Sequence, residues 1–309
     1  MVENGFLKIE SMQPRCSPAE WQARVDLAAC YRLVAIYGMS DMMANHISSR
    51  VPGEDGAFLI NAYGMMYEEI TASSLIKIDH DGNILSKPDF GDLNYGINKA
   101  GYVIHSAVHA ARPEVDCVIH THSWASMAVS SLECGLLPIT QTAMRFLKIG
   151  YHDYQGVVLN LDEQASLVQD LGQGEALILR NHGALTVGRS VGEAFNWMHR
   201  LELSCHAQLA AMGCNTPFVK VAPDVLEVLT GLALRVERGE EDVVLDAGAR
   251  SAEVRALSAA LKGMAGTLIA RRQALERSNH DLEDRVAERT AELARSNAAL
   301  ERLARHDTL

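Results

Sequence analysis

Long apolar runs are missing from this chain: no window approaches 18 uninterrupted apolar residues, so nothing in it reads as a membrane span. The start, "MVENGFLKIESMQPR", lacks a basic stretch followed by an apolar one, so no export signal is expected and the cytoplasm is the expected location. Cysteine is sparse and unpatterned. The six residues (Cys16, Cys30, Cys117, Cys134, Cys205 and Cys214) form no CxxC pair, which argues for free thiols over a disulfide or zinc-ribbon framework. Positive charge is short as well: a formal net charge of -11 disfavours phosphate backbones and anionic lipid, excluding nucleic acid and membrane as expected partners.

What is present suffices for one substantial core and a smaller appendage, since 48% of the 309 residues are hydrophobic. The expected organisation is an N-terminal extension over 1–18, a main domain over 19–238, a linker over 239–260 and a helical segment over 261–309. Residues 19–45 carry apolar positions at helical spacing, with Gly38 placed to end the helix. "HISSRVP" and "GAFLINAYGMMY" suggest a hairpin, and "SLIKIDHDGNIL" another with Asp81-Gly82 at its turn. A helix over 98–111 stops before Pro113, then come the strand "EVDCVIHTH" and the helix "SWASMAVSSLEC". "GVVLNLD" and "EALILRNHGALTVG" read as strands, "YHDY" as a turn, and "SVGEAFNWMHRLELSCHAQLAAM" as a long amphipathic helix. Helices flanking hairpin-connected strands imply an α/β layered domain with a largely antiparallel central sheet.

The chemistry-bearing feature is "CVIHTHSWASM". In a strand, residues i and i+2 share a face, so His120 and His122 present two imidazoles side by side at the strand's end. Such a pair is equally compatible with hydrogen-bonded core histidines. A third candidate, His182, stands in "LILRNHGALTVG", where an apolar strand gives way to Gly183. Three imidazoles with one open position would form a catalytic type of metal site.

"HTH" after an apolar strand, with "RNHG" about 60 residues later, resembles the class II aldolase/adducin family. "ACYRLVAIYGMSDMMANHISSR", "YGMMYEEITASSLIKID", "NKAGYVIHSAVHAARPEVDCVIHTH", "CGLLPI", "YHDYQG" and "LILRNHGALTVGRSVGEAF" resemble the adducin head and its bacterial relatives, over about residues 20–215. The resemblance implies a three-layer αβα sandwich forming a homo-oligomer with a tetrameric head. It also implies Zn2+, or another divalent ion such as Mn2+ or Fe2+, on His120, His122 and His182. In the family's sugar-phosphate aldolases the metal polarises a carbonyl and stabilises the enediolate left when a carbon–carbon bond breaks. An actin-type cytoskeletal partner follows only by analogy to adducin.

Against the aldolase pattern, the position of the family's acid/base glutamate is Gly101, which can neither ligate nor carry a proton. The preceding phosphate-binding serines correspond to Lys99 and Ala100, the Thr-Gly of another phosphate loop to Tyr63-Gly64, and Asn45 to the asparagine of the Gly-Asn turn. Asn45, Tyr63, Gly64 and Lys99 are therefore the substrate-binding candidates, and Tyr102, beside the vacated position, is the candidate proton-transfer residue. His105 and His109, one helical turn apart, read as catalytic alternates or as packed core histidines.

In one heptad frame of the tail, Leu261, Leu268, Leu275, Leu282 and Leu303 fall at d, with Asn279, Val286, Leu293 and Leu300 at a. Arg272 at a, and Arg289 and Ser296 at d, interrupt this seam. It suggests a parallel coiled-coil dimer, with a lone amphipathic helix as the alternative. "LEDRVAERTAELARSNAALERLARHDTL" resembles the signalling helix that precedes GGDEF diguanylate cyclase domains, and since the sequence stops at Leu309 no cyclase is expected. The combined expectation is a metal-dependent lyase, performing a retro-aldol or decarboxylation reaction on a small hydroxy-carbonyl compound. The alternative is a non-catalytic adducin-like module for oligomerisation, cytoskeletal binding or ligand sensing.

Overall fold

The computed structural model describes residues 2–3, 6–7, 9–156 and 161–229. The expected linker at 239–260 and coiled coil at 261–309 lie outside the described residues.

A short pairing of β1 (Val2–Glu3) with β2 (Phe6–Leu7) precedes the main domain. Helix α1 (Pro18–Ile36) starts where Ser17 accepts the Glu20 backbone N–H at 3.1 Å and Pro18 sits at the first helical position. It stops ahead of Gly38, whose φ of 67° is the left-handed conformation that suits glycine at a helix end. Both anticipated hairpins are present. Strand β3 (His46–Arg50) pairs with β4 (Phe58–Ile60), and β5 (Ile76–Ile78) with β6 (Ile84–Ser86) across Gly82. Helix α2 (Lys99–Ala111), strand β7 (Cys117–Thr121) and helix α3 (Trp124–Ser130) follow as the periodicity indicated.

One expectation needs correction, and two segments need more detail. Tyr151 and His152 of "YHDY" lie in strand β8 (Gly150–His152), not in a turn, because their backbone pairs with the sheet edge. Leu161 and Asp162, the end of "GVVLNLD", open helix α4 (Leu161–Leu171), while the apolar run expected as a strand, at 157–160, lies outside the described residues. "EALILRNHGALTVG" is two strands, β9 (Ala176–Leu179) and β10 (Gly183–Gly188), folded back on each other around Arg180–His182. Helix α5 (Val191–Gly213), capped by Ser190 on the Glu193 N–H at 3.2 Å, completes the domain.

The eight-stranded sheet runs β6-β5-β4-β3-β7-β10-β9-β8, and every neighbouring pair is antiparallel except β8 with β9. Strand parity sorts the core into two layers. Ile47, Cys117, Ile119, Ile178 and Ala184 pack with Leu27, Tyr31 and Val34 of α1, Val129 of α3 and Met198 and Leu201 of α5. Val118, Leu177, Leu179, Leu185 and Val187 pack with Ile104 and Val108 of α2 and Leu167 and Leu171 of α4. This is an α/β/α arrangement with a mixed, mostly antiparallel sheet. No helix among the described residues is long and apolar enough to cross a membrane, and all six cysteines are unpaired.

Two buried polar groups tie the helices to β3. The fully buried Tyr31 hydroxyl donates to the Ile47 carbonyl and accepts from the Ile47 N–H at 2.9 Å and the Asn61 N–H at 3.1 Å. It thereby closes the β3–β4 ladder just past its last paired residues. On the opposite face Ser48 Oγ lies 2.6 Å from His105 Nδ1 and 2.8 Å from His109 Nε2. His105 and His109 are thus buried core histidines, each bonded through one ring nitrogen to a serine hydroxyl while the other, His105 Nε2 and His109 Nδ1, has no hydrogen-bond partner among the described residues, and the packing alternative holds for them.

Two predictions follow. Tyr31→Phe strands two buried N–H donors and should lower unfolding stability by about 1–3 kcal/mol, read from the urea midpoint. Burial pushes both His105 and His109 down to about 3. In the unfolded chain they protonate once the pH drops below about 6.5, so their stabilisation is complete above that value and drains away between pH ~6.5 and ~3. The urea midpoint should therefore fall on acidification through that window, with a shallower fall in His109→Gln.

Candidate metal centre

The site is assembled from strand ends. Strands β3 and β10 both run antiparallel to β7, so both begin where β7 finishes. His46 opens β3 opposite His120, and Gly183 opens β10 just after His182. His120 is on the α2 face of β7, and His122, two residues on, continues that face beyond the paired region. His182 ends the three-residue connection from β9 to β10, which turns through Asn181 in the left-handed region (φ 55°), a conformation asparagine tolerates. Gly183 is required by proximity, since a Cβ there would strike the Thr121 carbonyl.

The three imidazoles expected to act together do converge. Ring centroids are 4.6 Å apart for His120–His122, 4.8 Å for His120–His182 and 4.7 Å for His122–His182. One nitrogen from each falls within 4.8 Å of the others. Their outer nitrogens fix the tautomers: His120 Nδ1–H donates to the Ala184 carbonyl at 3.0 Å and His122 Nδ1–H to Asp41 Oδ2 at 3.3 Å. That leaves both Nε2 lone pairs facing one another, 2.8 Å apart. Two acceptor lone pairs at that separation repel unless a positive charge lies between or beside them, so the donor set fits a divalent cation.

Electrostatics agree. Burial, then repulsion from His122, His182 and His46, holds His120 well below the usual histidine range. Burial also lowers His122, against the opposing pull of Asp41, and lowers His182 to about 4. All three are therefore neutral at pH 7, the form that ligates. His120 is buried while His122 and His182 are partly open, so ligand oxygens could approach from their side.

The remaining candidates are more scattered. Asn45 is fully buried and reaches the triad only indirectly: its Oδ1 accepts the Asp41 N–H at 2.7 Å, and Asp41 in turn holds His122. Tyr63 is substantially exposed and bridges to Gly96, while Gly64 (φ 110°) lies under the Tyr95 ring. Lys99 is the first residue of α2, and its side chain is outside what the structure describes. Tyr102 packs towards Gly82 in the β5–β6 turn, and burial pushes its phenol up to about 12. No ring contact joins Tyr102 to the triad among the described residues; its ring lies against Gly82 instead.

Sequence reasoning missed His46, Asp41 and Asn98. His46 stacks on His120 at 5.6 Å and 26°, and Asn98 Nδ2 lies 3.0 Å from His46 Nε2. The signal for His46 was present in "HISSR", where His46 and Ser48 share a strand face, but nothing in the sequence says that this strand neighbours β7.

The family described as Class II Aldolase and Adducin N-terminal domain matches residues 25–209. A Caulobacter vibrioides protein named for aldolase class 2 is 48% identical over 227 residues, 73% of this chain and 86% of that one. Alpha-adducin of Rattus norvegicus is 44% identical over 190 residues, which span 61% of this chain and 25% of adducin. Among solved structures, an aldolase II superfamily protein from Pseudomonas syringae has a TM-score of 0.68 at 42% identity, covering 83% of this chain and 96% of that one.

If Asp41 orients His122, Asp41→Ala should weaken divalent-ion affinity about 10-fold to 100-fold in a chelator competition assay while leaving the unfolding midpoint nearly unchanged.

Proposed function

The chain belongs to the class II aldolase and adducin N-terminal domain family, and on that footing we propose that it is a divalent-metal-dependent carbon–carbon lyase acting on a small hydroxy-carbonyl compound. The carrying observation is the convergence of His120, His122 and His182, with the Nδ1–H of His120 committed to Ala184 and that of His122 to Asp41. A divalent ion held there supplies a Lewis acid for a carbonyl oxygen and a sink for the charge that develops on it, which serves retro-aldol cleavage and decarboxylation equally. The protein's part is to hold three neutral nitrogens rigidly, with two anchored on strand ends and the third on a tight hairpin turn. The triad is partly open on the His122 and His182 side, which is where we place the substrate. Zn2+ is the ion we favour, with Mn2+ or Fe2+ also compatible with a trihistidine set. The acidic chain acts in the cytoplasm as a homo-oligomer in this reading.

Gly101 and the 44% identity to alpha-adducin support a second reading, a non-catalytic module in which the triad is retained for binding or assembly. One experiment separates the two. Purified protein and His122→Ala are compared for bound divalent ion and for solvent-deuterium uptake next to the carbonyl of small hydroxy-carbonyl compounds. The enzyme reading expects about one ion per wild-type chain, deuterium uptake, and loss of both in the variant. Stoichiometric ion without any uptake would favour the module, and wild-type protein that binds no ion would end the lyase proposal.

A further inference from the structure

Position 101 lacks a side chain for a visible reason: a Cβ built on Gly101 would fall inside the imidazole of His46, meeting Nε2, Cδ2 and Cε1. A side chain at 101 and the observed His46 ring exclude each other. The helix contributes no functional group there, and strand β3 contributes one instead.

The hydrogen bonds around His46 define what that group offers. Asn98 Oδ1 lies 3.5 Å from the Gly101 N–H, which turns the Asn98 Nδ2 towards His46 Nε2 at 3.0 Å. Nε2 is then an acceptor, so the ring proton resides on Nδ1. His46 is only 4% exposed, and its Nδ1 has no hydrogen-bond partner among the described residues. A buried N–H without an acceptor is costly, and here it belongs to a ring stacked on the candidate metal ligand His120.

Charge points the same way. Among the described residues, the carboxylate that touches the triad is Asp41. A divalent cation on neutral imidazoles beside that single carboxylate leaves positive charge to be balanced by the ligand.

We infer that His46 is the specificity-determining residue of the metal centre, donating its Nδ1–H to an anionic oxygen of the bound ligand, so that the preferred class is a compact carboxylate bearing an adjacent hydroxyl or carbonyl. This rests on the metal-binding reading above and narrows it: such acids chelate the cation through two oxygens, and the His46 ring leaves no room for bulk on the α2 side.

The test uses the full chain loaded with Co2+, whose visible absorption reports ligands entering its coordination shell, with cobalt content measured separately. Glycolate and the neutral hydroxyacetone are titrated into wild type, His46→Ala, His46→Asn and Gly101→Ala. Wild type should bind glycolate at least about tenfold more tightly than hydroxyacetone. His46→Ala should lose about tenfold for glycolate and little for hydroxyacetone, with partial recovery in His46→Asn, whose amide can donate. Gly101→Ala, which must displace the ring without removing it, should show the His46→Ala pattern, and it covers the case in which a His46 variant fails to fold. Stoichiometric cobalt with equal affinity for the two ligands, or with glycolate binding unchanged in Gly101→Ala and His46→Ala, overturns the role of His46 while leaving the metal centre intact. Absence of bound cobalt overturns both.

Discussion

The antiparallel pairing of β7 with a neighbour on each side is the constraint from which the site follows. Because β3 and β10 run against it, the end of β7 coincides with the beginnings of both, and side chains at those three termini share one small volume. Register then decides the occupants: His46 is paired with His120, and the residue ahead of Gly183 is His182. A slip of one residue in either pairing would carry a histidine to the opposite face, into the layer formed with α1, α3 and α5. The polar clamps at Tyr31 and Ser48 secure β3 from both faces, so the same bonds that stabilise the sheet also protect this register.

A second theme is enforced neutrality. Five imidazoles, His46, His105, His120, His122 and His182, lie close together; burial disfavours the charged form of each, and neighbouring histidines add to this at all but His122, where Asp41 pulls the other way. In an ordinary core this would be a costly concentration of half-satisfied polar rings. It becomes sensible around a cation, where neutral nitrogen is the useful form and the outer N–H groups need only orient it. His105 and His109 take no place in that centre; they hold strand β3 against α2 through Ser48.

The relation to the family is uneven along the chain in an informative way. The triad and its supporting turns are present, while the helix that leads into β7 carries glycine at the position that the sequence resemblance matches to the aldolases' acid/base glutamate. The His46 ring shows that this is a replacement of volume and not an empty place. A shared histidine triad beside altered surroundings fits the general rule that one fold can host different sites.

Much of this was legible in the residues themselves. Alternation in "VIHTH" put His120 and His122 on one face, the glycine after His182 marked a turn, and the helical and hairpin segments were set by periodicity and by Gly38 and Gly82, because these are local consequences of backbone geometry. The triad was grouped by analogy in its motif, and tertiary structure alone shows its rings within 5 Å of each other. Structure alone likewise assigned Asp41 to His122, turned Tyr102 away from the triad, and brought His46 into the space at Gly101. The physical reason is that local sequence determines which way a side chain points from its own element, but only the pairing of distant strands determines what it points at.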